Sequence, residues 1–332
     1  MKVSYRELHD LLVRVLLTRG LERGRAELCA RLFADASRDG VSSHGLNRFP
    51  HFVKMIERGV VDVDAEPVRV AGHGALERWD GRRGPGNLIA YQCMERAIAL
   101  SREHGIGGVA LANTNHWMRG GSYGWQAAEA GVIGICWTNT VPNLPPWGAG
   151  APRLGNNPLV IAVPREAGHV VLDMAMSQFS FGALASYRTR GKQLPVAGGF
   201  DVDGNLSRDP AAIEKSGRPL PIGFWKGSGL ALMLDMTAAL LSGGRATHEL
   251  AASVDTGLSQ VFLAFDLPSL CPPDVAARVA NQIIDHLLAP STDGESVRYP
   301  GERTLETRRR NLAEGIPVEP SVWNEVQDSL RN

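Results

Sequence analysis

Gly72-His73-Gly74-Ala75-Leu76-Glu77 is this chain's nearest approach to the Gly-x-Gly-x-x-Gly turn of a dinucleotide-binding Rossmann unit, and it fails at the last position. No complete copy occurs elsewhere, and there is no Gly-x-x-x-x-Gly-Lys-Ser/Thr phosphate loop. A Rossmann or P-loop fold therefore has no motif to rest on. If the chain binds a nucleotide, it does so with other elements.

Outward from that point the pattern divides in two. On the N-terminal side, Ser4-x-x-Glu7 is a capping box, in which each side chain satisfies a backbone N–H of the other's residue. Leu8, Leu11, Leu12, Val15 and Leu16 then make one helical face, so residues 4–19 are expected to be a helix ending at Gly20. Residues 22–37 repeat the pattern, and a third helix begins near Pro50 and ends at Gly59. The end of the chain, from Glu302, returns to helix with Trp323 and Val326 on one face. The expected organisation is a helical lobe of residues 1–65 with 305–332, and a mixed region of 66–304. A subdivision near residue 115 is an alternative.

Inside the mixed region, Leu88–His104 reads as a helix. Val109–Ala112, Val132–Trp137, Leu159–Val163, Val170–Met174 and Gln260–Phe265 read as strands, Gly229–Leu241 as a buried helix and Asp274–Leu288 as a further helix. Two long glycine- and proline-rich stretches, Pro142–Pro158 and Gln193–Pro221, read as loops of functional length.

Composition narrows the function classes. The 332 residues are 44% hydrophobic and 21% charged, with Lys+Arg and Asp+Glu equal at 35 each. A balanced charge offers no field for nucleic acid or an anionic membrane. No apolar run approaches the ~18–20 residues that span a bilayer, and Met1–Tyr5 lacks a signal-peptide pattern. Cys29, Cys93, Cys136 and Cys271 are scattered without a Cys-x-x-Cys pair, so no disulfide framework or zinc ribbon is indicated. A cytoplasmic enzyme is expected, with no nucleic acid or membrane partner.

Four clusters carry candidate chemistry. Ser42-Ser43-His44-Gly45-Leu46-Asn47-Arg48 places a proton carrier four residues from a guanidinium able to grip a carboxylate. Its bland reading is a surface loop with a capping serine. Asn113-Thr114-Asn115-His116-Trp117 crowds polar groups at a strand end, where turn chemistry alone would also put them. Asp173, at the end of an apolar strand, could accept hydrogen bonds from ribose hydroxyls or simply cap a helix. Lys226 stands at the start of a helix, where free N–H groups favour phosphate, or is an ordinary surface charge. A metal hydrolase built on His44 and His116 is a different reading, weakened by the lack of a third ligand at metal spacing. No metal is expected. A catalytically dead sugar-acid binding protein is the remaining alternative, against which the retention of His44, Arg48 and Lys226 speaks.

Longer segments resolve the choice. The stretches Ser42 to Pro50, Asn115 to Ala128, Gly134 to Asn139, Pro145 to Ala149, Arg190 to Val196, Trp225 to Gly229, Leu234 to Met236 and Pro300-Gly301 occur in order along the chain. With them the sequence resembles the malate/L-lactate dehydrogenase-like family, which has its own non-Rossmann NAD(P)-binding fold. The resemblance implies an α+β fold with a mainly antiparallel sheet and a helical lobe from both chain ends. It implies His44 as proton donor, with Ser43 and Arg48 as matched catalytic neighbours. Arg48 and His116 are expected at the substrate. The dinucleotide contacts fall on His169, Val170, Val171, Leu172, Asp173, Met174 and Ala175, on Trp225 and Lys226, and on Gly301, Glu302 and Arg303. Asn156 departs from the threonine often found at its place, and Glu302 and Arg303 occupy variable positions.

The expected activity is NAD(P)H-dependent reduction of a 2-oxo (sugar) acid to the 2-hydroxy acid. Malate or lactate, ureidoglycolate and cyclic imino acid oxidoreductases are the alternatives within the family. NADH is expected over NADPH, because a carboxylate at Asp173 would repel a ribose 2′-phosphate. Homodimers with a shared active site are also implied, and Trp117, Trp125, Trp147 and Trp225 lie in or beside the site motifs as candidate interface aromatics.

Overall fold

The computed structural model describes residues 1–251, 254–290 and 297–330; the last two residues of the expected C-terminal helical stretch, 331 and 332, lie outside these. Strand β1 (Lys2–Val3) leads into helices α1 (Tyr5–Thr18), α2 (Arg23–Arg38) and α3 (Phe49–Glu57). Then come β2 (Val68–His73), β3 (Leu76–Asp80), α4 (Gly86–His104), β4 (Ile106–Asn115), α5 (Gly121–Glu129), β5 (Ile133–Thr138), β6 (Leu159–Val163) and β7 (Val170–Met174). An excursion follows: α6 (Phe181–Thr189), β8 (Gly199–Phe200), β9 (Leu206–Ser207) and α7 (Pro210–Ser216). Next are α8 (Trp225–Ser242), β10 (Thr256–Phe265), α9 (Leu267–Leu270) and α10 (Pro273–Leu287). The chain closes with α11 (Glu302–Glu314), β11 (Ile316–Pro317) and α12 (Pro320–Asp328).

The main sheet runs β2-β3-β4-β10-β5-β6-β7. Only β3 and β4 pair in parallel; every other neighbour is antiparallel. This is an α+β fold, not a doubly wound one. Alternation sorts side chains to its two faces. Val109, Leu111, Cys136, Val160 and Phe262 join α4 and α5 in one core. Ala110, Trp137 and Val261 point the other way, onto Ala231, Leu234 and Ala238 of α8. β7 is the last strand of its edge.

The chain ends meet. β1 pairs with β11, and Val3, Leu8, Phe33, Phe52, Ile316, Trp323 and Val326 belong to one buried cluster. The capping box of α1 is present, with Ser4 Oγ accepting from the Glu7 N–H and Glu7 accepting from the Ser4 N–H.

Four local expectations change. The β2–β3 hairpin has no periodic apolar signal because every β2 side chain is exposed. β4 begins three residues earlier than the apolar run Val109–Ala112, since Gly107 and Gly108 carry no side chain to extend that run. Gly107 is instead a close approach: a Cβ there would lie 2.1 Å from the Ala97 carbonyl oxygen of α4. The stretch 193–221 is not an unstructured loop. It holds β8, β9 and α7, the last capped by Asp209 with Pro210 in its first turn, and Leu184, Leu194 and Ile213 form a small core there. Finally, α8 is buried on only one side. Leu230, Leu232, Met233, Met236 and Leu240 are exposed, Leu240 by 75%.

Candidate active site

The His44 loop is shaped by a serine and a glycine. Ser37, near the end of α2, donates from Oγ to the Phe33 carbonyl and accepts from the Leu46 N–H at 2.8 Å. Gly45 passes so close that a Cβ would sit 2.2 Å from Ser37 Oγ. Two short 3-10 turns, Ser42–His44 and Leu46–Arg48, follow from this tether and hold His44 and Arg48 on successive turns. Ser43 Oγ lies 3.1 Å from His44 Nδ1. The hydroxyl can donate to the neutral ring and accept from the imidazolium, so it steadies His44 in both states. Gly182 of α6 closes over it; a Cβ at that position would be 2.8 Å from Ser43 Cβ.

His116 arrives from the end of β4. Gly86 lets α4 abut it, since a Cβ there would be 2.4 Å from the His116 carbonyl oxygen. The Met118 N–H donates to His116 Nδ1 at 3.0 Å, which leaves the proton of the neutral ring on Nε2. Met118 itself is held at φ 62. The His44 and His116 rings stack, with centroids 5.9 Å apart and planes 18° from parallel.

Charge around the pair is uneven. Desolvation pushes His44 down from its ordinary pKa, Asp173 opposes this, and Arg48 and Arg119 add to it. His116 is pushed well down, first by desolvation and then by Arg48 and His44. Both rings therefore favour the neutral form in the free protein. Each nearby arginine has a carboxylate. Arg48 Nη2 donates to Asp255 Oδ2 at 3.0 Å, and Arg119 Nη1 donates to Asp39 Oδ2 at 2.7 Å. Asp39 also accepts from Arg38 at 2.8 Å and twice from Arg308 of α11 at 2.8 Å. Burial alone would raise the Asp39 carboxyl. The Arg308 hydrogen bonds, the Arg119 charge and the Arg38 hydrogen bond outweigh it and hold the group well below the usual carboxylate range.

The expected dinucleotide segments lie along one strand. His169 through Ala175 are β7 and its flanks. At its start, the Val171 N–H donates to the Pro300 carbonyl, and Gly301, at φ +98, presses where a Cβ would come within 3.2 Å of the His169 carbonyl oxygen. Gly301 is thus the N-cap of α11, and Glu302 and Arg303 are in its first turn. Past its end, the Ile222 N–H donates to the Met176 carbonyl, which brings the start of α8, Trp225 and Lys226, beside the same strand. Asp173, midway, accepts from the Gly121 N–H at 2.8 Å. That bond links β7 to the helix that follows His116. The ring of Trp125 connects the other end, lying under the Arg308 guanidinium and tilted on His169. Among the described residues, no hydrogen bond, ion pair or ring contact joins Lys226 or Trp225 to His44. No group of three His, Cys, Asp or Glu side chains is placed to hold a metal ion among them either.

The four tryptophans divide. Trp117 and Trp125 are buried in the sheet core, whereas Trp147 and Trp225 are exposed, Trp225 by 66%. Trp147 packs on Phe224 at 4.8 Å. Asp255, Asp39 and Arg308 are functional candidates that the sequence reading missed. Arg48 and Asp255 are 207 positions apart, and no motif joins them.

Comparison with known proteins completes the picture. The profile of the malate/L-lactate dehydrogenase family matches residues 3–327. The chain is 46% identical to a 2,3-diketo-L-gulonate reductase of Escherichia coli, over 98% of this chain and 99% of that one. Among solved structures, it superposes on the sulfolactate dehydrogenase of Methanocaldococcus jannaschii with a TM-score of 0.92 at 26% identity, covering 100% of this chain and 97% of that one. The delta1-piperideine-2-carboxylate reductase of Pseudomonas syringae superposes with a TM-score of 0.88 at 29% identity, with 99% of both chains covered. No helix of the described residues is long and apolar enough to cross a membrane.

Proposed function

The chain belongs to the malate/L-lactate dehydrogenase family, an oxidoreductase of 2-hydroxy and 2-oxo acids, and from that premise we propose that it reduces 2,3-diketo-L-gulonate to 3-keto-L-gulonate with NADH in the cytoplasm. The observation that carries this reading is the stacked His44–His116 pair beside Arg48, joined to a strand flanked by the starts of α8 and α11.

The residues along β7 suit a dinucleotide. Gly301 lets the turn before α11 lie against the strand, where a Cβ would meet the Val171 nitrogen and the His169 carbonyl oxygen, α8 brings Lys226 and the positive end of its dipole toward phosphate, and the exposed Trp225 ring is free to cover a base or nicotinamide. His169, Val170, Val171, Leu172, Asp173, Met174 and Ala175, with Trp225, Lys226, Gly301, Glu302 and Arg303, would hold it. When bound, the cofactor supplies the hydride that reaches the ketone carbon.

The chain's own residues do the rest. His44, as imidazolium, gives its proton to the carbonyl oxygen as negative charge builds there. Ser43 keeps the ring oriented while Nδ1 changes role. Arg48 grips the substrate carboxylate and sets the carbonyl in line. His116 holds a proton on Nε2 and can donate to the same oxygen. A carboxylate arriving at Arg48 also cancels one of the two cations that hold the His44 pKa down, so substrate helps charge its own acid.

Asp173, exposed on the edge strand, favours NADH over NADPH. The uncovered apolar face of α8 supports a homodimer in which a second copy covers it and the two chains share each site. Residues 1–65 with 305–332 make the helical lobe of that assembly, and 66–304 the cofactor and substrate region. Consumption of NADH or NADPH on 2,3-diketo-L-gulonate, oxaloacetate, pyruvate and a cyclic imino acid, with formation of the reduced cofactor from NAD+ or NADP+ on ureidoglycolate in the oxidative direction, tests the assignment. Turnover confined to any other member of that panel would replace the substrate; no turnover with either cofactor would end the reading.

A further inference from the structure

The chain bends twice as it enters β10. The Thr256 N–H donates to the Val254 carbonyl at 2.9 Å, which closes a tight turn with Asp255 at its tip. Just beyond, Thr256 pairs with Asn115 and Leu258 with Thr114, so Gly257, at φ +75, is an extra residue in the strand. A bulge of this kind takes glycine because of its positive φ, and it re-aims the side chains beside it. On the other side of the tip, Val254 packs against the buried cluster that joins the chain ends. Asp255 is thus held from both directions. Because Asn115 immediately precedes His116, the tip sits at the same end of the sheet as the stacked rings.

Arg48 has one tether. Nη2 donates to Asp255 Oδ2 at 3.0 Å, Nε is buried without a partner, and Nη1 makes no hydrogen bond among the described residues. The two side chains are 29% and 26% exposed, so the pair is partly shielded from water. The charge of Arg48 acts on His44 and His116, whereas that of Asp255 acts on His51 of α3 and on neither stacked ring. The carboxylate therefore stands on the far side of the guanidinium from the histidines. We propose that Asp255 is the positioning residue of Arg48: it anchors one end of the guanidinium from behind and leaves the Nη1 end for the carboxylate of a 2-oxo acid. Ordering a long, flexible side chain costs affinity when it happens on binding, and a tether already in place removes that cost from the step. Asp255 acts through Arg48 and not on the reacting atoms. The proposal rests on the reading of Arg48 as the carboxylate grip, and it deepens that reading by naming what aims the grip.

A double-mutant cycle on Arg48 and Asp255 in the full-length protein tests this. It is read as KM and kcat for 2,3-diketo-L-gulonate at saturating NADH, and as calorimetric binding of oxalate in the presence of NADH, which needs no turnover. Asp255→Ala should raise KM and the oxalate Kd about tenfold, with kcat changed by less than about threefold. Asp255→Asn, which keeps an acceptor oxygen at the tip, should stay within about threefold of wild type on both. In an Arg48→Ala background, Asp255→Ala should add no further loss, because the group it positions is gone. A loss of about tenfold that persists in that background would mean that Asp255 meets the substrate itself, and would overturn the proposal. So would a fall in kcat alone with KM and oxalate binding intact, the mark of a damaged fold. Where Asp255→Ala folds poorly, Asp255→Leu, of similar volume and without an acceptor, is read in the same way. Unchanged binding in Asp255→Ala beside weakened binding in Arg48→Ala would overturn the proposal and leave the carboxylate grip standing. Unchanged binding in Arg48→Ala, or a wild type that neither turns over the substrate nor binds oxalate, would remove the grip and the proposal together.

Discussion

Asp39 and Arg119 form a buried pair, 2.7 Å apart, that ties the helix leading to His44 to the loop leaving His116. Their side chains are 1% and 5% exposed, and Arg308 adds the helix that opens with Gly301 to the same carboxylate. One aspartate thus holds three segments of the site in register. Removing it by Asp39→Ala would strand the buried Arg119 guanidinium and leave Arg38 and Arg308 with only Asp35 and Glu129, and a loss of about 3–5 kcal/mol of stability is expected. The pH dependence has a definite sign. The folded-state pKa of Asp39 lies below its ordinary 3.8, so its stabilisation is present above that value and fades as pH falls below it toward the folded pKa. Thermal unfolding of wild type and variant from pH 7 to pH 3 checks both parts. A gap between the two that stays constant down to pH 3 would refute the linkage.

His44→Ala or His44→Asn should lower kcat by ~10²–10⁴ while the cofactor still binds. Full turnover in either variant at neutral pH removes His44 from the chemistry. The direction of the pH profile follows from its surroundings. Desolvation, Arg48 and Arg119 lower the His44 pKa against the pull of Asp173, with neutral His116 stacked alongside. In the free enzyme the proton-donating form is therefore lost below the ordinary value of 6.5. Reductive kcat/KM should fall with rising pH through a midpoint under 6.5, and the oxidative direction, which needs the neutral ring, should hold to higher pH. A reductive profile flat from pH 5 to 9 would contradict this where chemistry limits the rate.

How much of this was legible in the sequence depends on the distance over which each interaction acts. The capping box at Ser4 and Glu7 spans three residues and was readable directly. The inner strands were readable because burial on both faces leaves an apolar run, as in Leu159–Val163. β2 was not, because its side chains touch only solvent. Gly107 carried no strand signal, because a glycine needed for helix contact looks in sequence like one needed for a turn. At the site, His44 and Arg48 share one loop and were visible as a motif. Asp255 meets Arg48 across 207 positions, and Arg308 meets Asp39 across 269, so only the folded chain reveals them.

The cofactor preference can be read kinetically. Asp173 lies on the edge strand with one carboxylate oxygen taken by the Gly121 N–H, which keeps the charge fixed beside the segments proposed to hold the dinucleotide. A 2′-phosphate brought there meets like charge. kcat/KM for NADH should exceed that for NADPH by tenfold or more, and Asp173→Asn should narrow the ratio. A tenfold preference for NADPH in the wild type would overturn the assignment.

The uncovered face of α8 bears on assembly. A helix apolar all round belongs in a core, yet Leu232, Met233, Met236 and Leu240 meet solvent in the single chain. A second copy would remove that exposure, and Leu240→Lys should shift the protein toward monomer in sedimentation and abolish activity together. Within one chain, α8 packs on the face of the sheet opposite α4 and α5, and it shares no hydrogen bond or ion pair with the His44 loop among the described residues. A site that needs both His44 and Lys226 is then expected to draw them from different chains. Mixing inactive His44→Ala and Lys226→Ala proteins after mild unfolding and refolding should restore activity, because each hybrid dimer contains one site with both residues intact. Recovery up to about half of the wild-type activity per hybrid dimer follows if the sites act independently. An active monomer in sedimentation would refute the dimer. A stable dimer that fails to complement would refute only the sharing of the site, and would assign His44 and Lys226 to one chain.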